Sequence, residues 1–395
     1  MQNKRNERIY ILRSLSQSVA TGLCDGAYVT SFMLFIGLNN QQISTVNAGM
    51  NAAMFAASLL ILFAYRWNKT GISLVQVFSV GCILVPGSLL AASVISPQYA
   101  FILLLILRSA ASLMSSARNS AEINAVPILF GRQRYAHLLG VSGSIGGVFT
   151  LLISLGTMWL FRSMNEADSY TGFFTAATAL MGIYAMLSFA YRRSDGAQTV
   201  EVQPVHIRKV LSKQYLVKSI PHVVRGIGTT GVVMFPMVVL SNVELTQQQN
   251  TLIIPLSIVA SIISSMVLTE VSKYLKPGTI VMLGFLVSSA VMITAPFIRT
   301  PITYMVLYSL MLTANTMASK STMASVVYAC EKEELSLMSS LHVLYYALAY
   351  SPAMLLFGKY LDVAPLAVMT AAAFCYGSGG ILFHCYFRKG VEKND

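Results

Sequence analysis

Residues Ala100–Asn124 read AFILLLILRSAASLMSSARNSAEIN. The segment opens as plain lipid-soluble sequence and then places Arg108 inside an apolar run. Continuing at helical spacing, Ser112, Ser115, Asn119 and Glu122 follow Arg108 at +4, +7, +11 and +14. At about 100° per residue all four fall within roughly 40° of Arg108, so the stretch predicts a helix with one polar stripe. A charge near the centre of a bilayer costs at least about 2.5–3.5 kcal/mol, which turns such a stripe toward protein or water. The expectation is a stripe that lines a polar pathway.

The rest of the chain fits a helix in lipid. Its 395 residues are 55% hydrophobic and only 11% charged, with a mean hydropathy of +0.65. A soluble chain carries about twice that charged fraction. Apolar runs of bilayer-spanning length recur from end to end, so the class is an integral membrane protein. The net charge of +12 would suggest nucleic acid in a soluble protein, but here its distribution decides. With both termini placed inside, 20 of the 27 Lys and Arg residues fall in inner loops and ends, from Lys4, Arg5, Arg8 and Arg13 to Lys393. Only Arg162, Arg299 and Lys359 fall outside, and four lie within spans. That asymmetry is the positive-inside rule, and it predicts orientation and contact with anionic lipid, not nucleic acid. Cys24, Cys82, Cys330, Cys375 and Cys385 stand singly, without metal-ligand spacing. The start, MQNKRNERIYILRS, reads as a basic cytoplasmic lead into a first span, with no cleavable signal pattern.

Twelve spans can be drawn, at about 10–37, 44–65, 71–95, 99–125, 137–160, 171–191, 217–241, 249–271, 278–298, 302–328, 336–358 and 364–387. Their connections are short except for 192–216, RRSDGAQTVEVQPVHIRKVLSKQYL, whose second part predicts an amphipathic helix lying on the inner membrane surface. The expected domains are therefore a six-helix bundle over 1–191, a cytoplasmic linker over 192–216 and a second six-helix bundle over 217–395. A single offset of 207 relates the two bundles. It carries Gln41-Gln42 onto Gln248-Gln249, Arg66 and Lys69 onto Lys273 and Lys276, Ala111-Ser112 onto Ala318-Ser319, and Arg108 onto Asn315. One offset serving three elements points to a duplicated bundle.

This all-α, six-plus-six arrangement, with both ends inside and a long central inner loop, resembles the major facilitator superfamily of secondary transporters. In the loop after span 2, where the family reads Gly-x-x-x-Asp-Arg-x-Gly-Arg-Lys/Arg, this chain keeps Arg66 and Lys69 but has Ile61 and Tyr65 in place of the Gly and Asp. Span 4 has the family's arginine followed by small residues, at Arg108, Ala110, Ala111, Ser112, Ser115, Ser116 and Ala117. Span 5 reads LLGVSGSIGG, with Gly143 at the family exporters' Pro position and Gly146-Gly147 matching their glycine pair. The missing Pro gives no support to an antiporter. The resemblance implies a central cavity lined by helices 1, 4, 7 and 10, and rocking of two halves about a midplane site. The deep charges fall on those helices: Asp25 in the first, Arg108 in the fourth, Arg225 in the seventh and Lys320 in the tenth.

Each candidate has two readings. Asp25 shares a face with Ser14, Ser18, Thr21, Tyr28 and Phe32. It suits either a proton-binding carboxylate, caught between desolvation and a nearby arginine, or a structural partner for that arginine. Arg108 suits bidentate contact with an anion or a fixed ion pair. Arg225 maps by the offset onto Ser18, facing either the cavity or the inner surface by snorkelling. Lys320 lies five residues past Asn315, so a faithful repeat turns Asn315, Ser319 and Thr322 to the cavity and Lys320 toward a neighbouring helix. Arg118 and Glu122 read as an i,i+4 pair near the inner gate, with Asn119, Arg66, Lys69, Lys273 and Lys276. Tyr28, Phe32 and Tyr308 are candidate aromatic walls or packing; His342, Tyr345, Tyr346 and Tyr350 read chiefly as packing. Ser112 joins Arg108 at the midplane site.

No phosphate-cradling loop, metal-protease motif or nucleophile elbow occurs, so neither an enzyme, a cofactor nor direct ATP drive is expected. The expected protein is a monomeric alternating-access transporter in a bacterial cytoplasmic membrane, driven by an ion gradient, with protons the leading choice. Its three deep bases against Asp25 favour a small solute of negative charge. A multidrug or lipid exporter of the same fold is the first alternative, and a non-transporting sensor or scaffold the second.

Overall fold

Backbone groups in lipid must find their hydrogen bonds within the chain, and every regular element among the described residues is a helix. The computed structural model describes residues 2–24, 26–67, 72–130, 132–161, 163–191, 213–329 and 332–388. In order these are α1 (Gln2–Gly22), α2 (Gly26–Phe35), α3 (Asn40–Trp67), α4 (Ile72–Gly81), α5 (Leu84–Val94), α6 (Pro97–Phe130), α7 (Arg132–Phe161) and α8 (Glu166–Phe189). After the linker come α9 (Lys213–Leu240), α10 (Gln247–Val271), α11 (Pro277–Thr294) with a 3₁₀ turn at Ala295–Phe297, α12 (Pro301–Ala329), α13 (Lys332–Tyr360) and α14 (Pro365–Arg388). Among the described residues seven stretches are long and apolar enough to cross a membrane: Ile72–Val94, Pro97–Glu122, Glu166–Phe189, Leu216–Leu240, Gln247–Val271, Pro277–Phe297 and Pro365–Phe387. Large apolar side chains such as Ile102, Ile106 and Phe374 stand exposed, as a lipid surround allows. The chain is an integral, multi-pass membrane protein.

Two expected spans are interrupted. The span expected over 10–37 is split between α1, which ends at Gly22, and α2, which begins at Gly26. The span expected over 71–95 is split between α4 and α5. Its cause is Pro86, which has no N–H and whose ring crowds the carbonyl four residues earlier. That carbonyl, on Cys82, is taken instead by Val85 N at 3.0 Å, a tighter i+3 turn. The amphipathic helix expected in the linker falls largely on 192–212, outside the described residues.

The chain divides into two compact units, Met1–Leu38 with Gly49–Gln203, and Asn39–Ala48 with Pro204–Asp395. The start of α3 thus groups with the second unit, where Asn40 Nδ2 donates to Asp362 Oδ1 at 2.5 Å and Ser241 Oγ at 3.3 Å. The first unit is centred on Tyr28, Phe32, Tyr170, Phe173 and Phe174, all buried, with ring centres 4.8–6.2 Å apart in the contacting pairs. In the second, Phe285, Tyr376 and Phe383 form one buried cluster and Phe235, Tyr304 and Tyr308 another.

The offset of 207 reappears in helix caps. Asn39 Oδ1 accepts from Gln42 N at 2.8 Å while Gln42 Oε1 accepts from Asn39 N at 3.0 Å. Thr246 Oγ1 accepts from Gln249 N at 3.3 Å while Gln249 Oε1 accepts from Thr246 N at 3.0 Å. These are reciprocal capping boxes opening α3 and α10, and both partners of one sit 207 residues from those of the other.

Candidate functional site

Two clusters of polar side chains stand out, one in each unit. In the first unit, α1 contributes Arg13, α6 contributes Arg118 and Glu122, and α8 with its C-terminal flank contributes Tyr184 and Tyr191. Arg13 grips Glu122 as a fork, Nη1 to Oε1 at 3.1 Å and Nη2 to Oε2 at 2.7 Å. The expected i,i+4 pair also forms, with Arg118 Nη1 at 2.6 Å from the same Oε2. Tyr184 and Tyr191 hydroxyl oxygens accept from Arg13 at 2.6 and 3.1 Å. The Tyr184 ring lies under both guanidinium carbons, 4.7 Å from that of Arg13 and 5.5 Å from that of Arg118. Gln17 Oε1, one turn beyond Arg13, accepts from Arg118 at 3.4 Å. Side-chain exposure is 2% for Arg13, 5% for Arg118 and 12% for Glu122. Two cations on one carboxylate make a buried lock with one positive charge in excess.

Arg13 is a correction. Positive-inside counting had assigned it to the inner end of the chain, yet it is buried and is the main partner of Glu122. The signal available in the sequence was Arg13-x-x-x-Gln17 on one face of α1, and tyrosines seven apart at 184 and 191.

The second unit brings together five of its helices. On α12, Asn315 and Ser319 lie one turn apart on one face. Arg225 Nη2 on α9 donates to Ser319 Oγ at 3.3 Å. The guanidinium carbon of Arg225 lies 5.5 Å from the Phe285 ring centre (α11) and 5.4 Å from that of Tyr346 (α13), within cation–π range. Tyr376 of α14 donates its hydroxyl to Asn315 Oδ1 and packs 4.2 Å from Phe285. Glycines permit this convergence. A Cβ on Gly226 would meet the Tyr346 carbonyl oxygen at 2.6 Å, and one on Gly228 would meet the Tyr376 backbone at 2.4 Å. Phe285 and Tyr376 are fully buried, whereas Arg225, Asn315, Ser319 and Tyr346 keep part of their surface open. Tyr376 and Phe285 were not singled out in the sequence, where they look like ordinary packing aromatics.

The remaining candidates scatter. Lys320 leaves the cluster: it is exposed and donates to Ser265 on α10 at 2.7 Å, the neighbouring-helix direction that the repeat implied. Arg108 is largely buried, its Nη1 reaching the Val85 carbonyl at 3.4 Å, while its Nε has no partner. Among the described residues no carboxylate pairs with Arg108. Ser112 ties α6 to α3 through the Met50 carbonyl at 2.7 Å. Tyr28, Phe32 and Tyr308 are buried packing aromatics, not an open wall, because α8 covers the first two and Phe235 with Tyr304 the third. Of the expected inner-gate set, Asn119 and Lys276 are exposed, and Lys273 forms an exposed pair with Glu270 at 2.7 Å that contributes little to stability. Asp25 and Lys69, and the side chains of Arg66 and His342, lie outside the described residues.

No protein-family model matches the sequence, and no curated protein matches it significantly. Solved structures do. The chain superposes on the nucleoside transporter NupG at 13% identity and a TM-score of 0.67, covering 97% of this chain and 99% of that one. A D-xylose-proton symporter matches at 12% identity and TM-score 0.68, with 99% and 98% covered. A POT family transporter in complex with a thioalcohol-conjugated peptide matches at 12% identity and TM-score 0.67, with 96% and 94% covered. The chain shares the fold of these three structures along nearly its whole length.

Proposed function

We propose that this protein is a secondary active transporter that works by alternating access, coupled to protons, and moves a small anionic solute. The observation that carries the reading is the fold, shared along nearly its whole length with a nucleoside transporter, a D-xylose-proton symporter and a POT family transporter. Twelve spans in two six-helix bundles, 1–191 and 217–395, joined by a cytoplasmic linker at 192–216, belong to this proposal. So do cytoplasmic termini, a bacterial inner-membrane location and a monomeric state. The helical interruption between Gly22 and Gly26 supports Asp25 as the coupling carboxylate, since broken helices near the midplane recur at ion and substrate sites. Arg108, with its unpartnered buried Nε, is the proposed basic group of this site.

Counterflow in proteoliposomes, with and without an imposed pH gradient, tests this reading against a panel of anions, sugars and lipophilic cations. Asp25→Asn is expected to keep counterflow but lose pH-driven accumulation, because an amide binds substrate-side neighbours without carrying a proton. Undiminished pH-driven accumulation by Asp25→Asn would sink the coupling role. Drug-stimulated proton release with no anion movement would instead identify an exporter of hydrophobic cations.

A further inference from the structure

Helix α10 has two exposed faces, and they differ in chemistry. Ile254, Ile258, Ser261, Ser265 and Thr269 fall within about 80° of one another around its axis. The first two are buried and the last three exposed, so this face is packed in one half of the helix and open in the other. Ile263, Met266 and Val267 stand roughly opposite and are also exposed. In a stretch apolar enough to span a membrane, that second face suits lipid. The hydroxyl face is set apart by Lys320, which reaches onto it from α12 and donates Nζ to Ser265 Oγ at 2.7 Å. Lys320 lies nine residues, about 13 Å, before the end of α12 at Ala329, and Ser265 six residues, about 9 Å, before the end of α10 at Val271. The ammonium therefore stays within the span instead of snorkelling past its end. A charge held inside a span faces protein or water, because lipid solvates it poorly. Lys320 is exposed, and among the described residues no carboxylate pairs with it. That combination fits water. The Ser265 and Thr269 hydroxyls donate to the Ser261 and Ser265 carbonyls at 2.9 Å, so toward the solvent they offer only acceptors. The ammonium supplies the donors, with one of its three protons on Ser265 and two left over.

We infer that Lys320 and the α10 face at Ser261, Ser265 and Thr269 form the wall of a water-filled vestibule, open toward the Lys273 end of α10, and that Lys320 gathers anions there. An ammonium is a compact point charge, so this wall selects by charge and accepts carboxylate and phosphate alike. The inference rests on the transporter reading for its biological meaning, but thiol chemistry tests it separately. Protein in lipid nanodiscs, carrying Ser261→Cys, Thr269→Cys, Ile263→Cys or Met266→Cys, is treated with two membrane-impermeant methanethiosulfonates, one bearing a sulfonate and one a trimethylammonium. Peptide mass spectrometry follows labelling at the introduced position and separates it from the native cysteines.

Ser261→Cys and Thr269→Cys are expected to react at least about tenfold faster than Ile263→Cys and Met266→Cys, because apolar surroundings suppress the reactive thiolate. At Ser261→Cys the sulfonate reagent should be favoured over the trimethylammonium by about fivefold more than it is with a free thiol, the effect of one positive charge about a helical turn away in salt. The Glu270–Lys273 pair carries no net charge, and Glu270 lies nine residues, about 13 Å, from Ser261, beyond the reach of screened charge. Lys320→Gln should return the preference to that of the free thiol, while Lys320→Arg should keep it, a pattern that a merely structural lysine would not produce. Ser261→Cys reacting as slowly as Met266→Cys would overturn the vestibule, and a preference unmoved by Lys320→Gln would overturn the anion role. Fast, charge-selective labelling in a protein that shows no counterflow of any anion would leave the wall standing and sink the transporter reading.

Discussion

Glu122→Leu is expected to destabilise the protein by about 3–5 kcal/mol, the cost of leaving buried cations without their counter-ion. Arg13 and Arg118 both rest on this one carboxylate, at 2.7 and 2.6 Å from Oε2, and neither has more than a few per cent of its side chain in reach of water. Removing Glu122 would leave two guanidiniums facing each other across Tyr184, whose ring and hydroxyl stabilise a cation but cannot neutralise it. The triple change Arg13→Met, Arg118→Met, Glu122→Leu should recover most of the loss, because well-packed apolar residues commonly replace a buried ion pair at little cost. Titration with denaturing detergent in mixed micelles measures both. A single Glu122→Leu variant as stable as the parent would show that the lock is hydrated and carries no structural load. Arg13→Lys is a milder probe: it keeps the charge but loses the fork to Oε1 and Oε2, and should fall between the two.

The same cluster shows where sequence reading stops. Hydropathy and charge asymmetry reveal helices in lipid because they are local or additive properties. The pairing of Arg118 with Glu122 was legible for the same reason, being four residues apart on one helix. Arg13 was not, since it meets Glu122 across 109 positions of sequence, and a base near a chain's start ordinarily faces water. Capping chemistry was half legible: the offset of 207 flagged Gln42 and Gln249, but only the structure shows them closing reciprocal caps with Asn39 and Thr246. For the second unit, the repeat turns Lys320 away from Asn315 and Ser319, and in the structure Lys320 reaches Ser265 on the neighbouring α10. Phe285 and Tyr376 escaped notice because an aromatic in an apolar helix carries no mark of whether it packs against lipid, core or a guanidinium. Pro86 was in plain view, yet an apolar run scanned for length alone hides a broken helix.

Gly228→Val is expected to cost about 3 kcal/mol or more, at the upper end of overpacking in a close-packed interior. A Cβ at this position would stand 2.4 Å from both Cα and N of Tyr376, and 2.7 Å from its Cβ. Two of those atoms are backbone, so the clash cannot be relieved by a side-chain rotation. Helices α9 and α14 would have to part by about 1 Å before ordinary contact distance is reached. The added helix propensity of a residue other than glycine, at most about 1 kcal/mol, does not offset this. Parting the helices would also carry Tyr376 away from Asn315, to which it donates. Gly156→Ala and Gly182→Ala provide the contrast, since nothing stands within 4 Å of a Cβ at either helical position. Each should be neutral or stabilising by up to about 1 kcal/mol, through the smaller backbone entropy of alanine. Melting curves of the three variants read the difference. A Gly228→Val protein that melts like Gly156→Ala would mean that the seam between α9 and α14 is slack, and that the glycines do not hold the Arg225 cluster together.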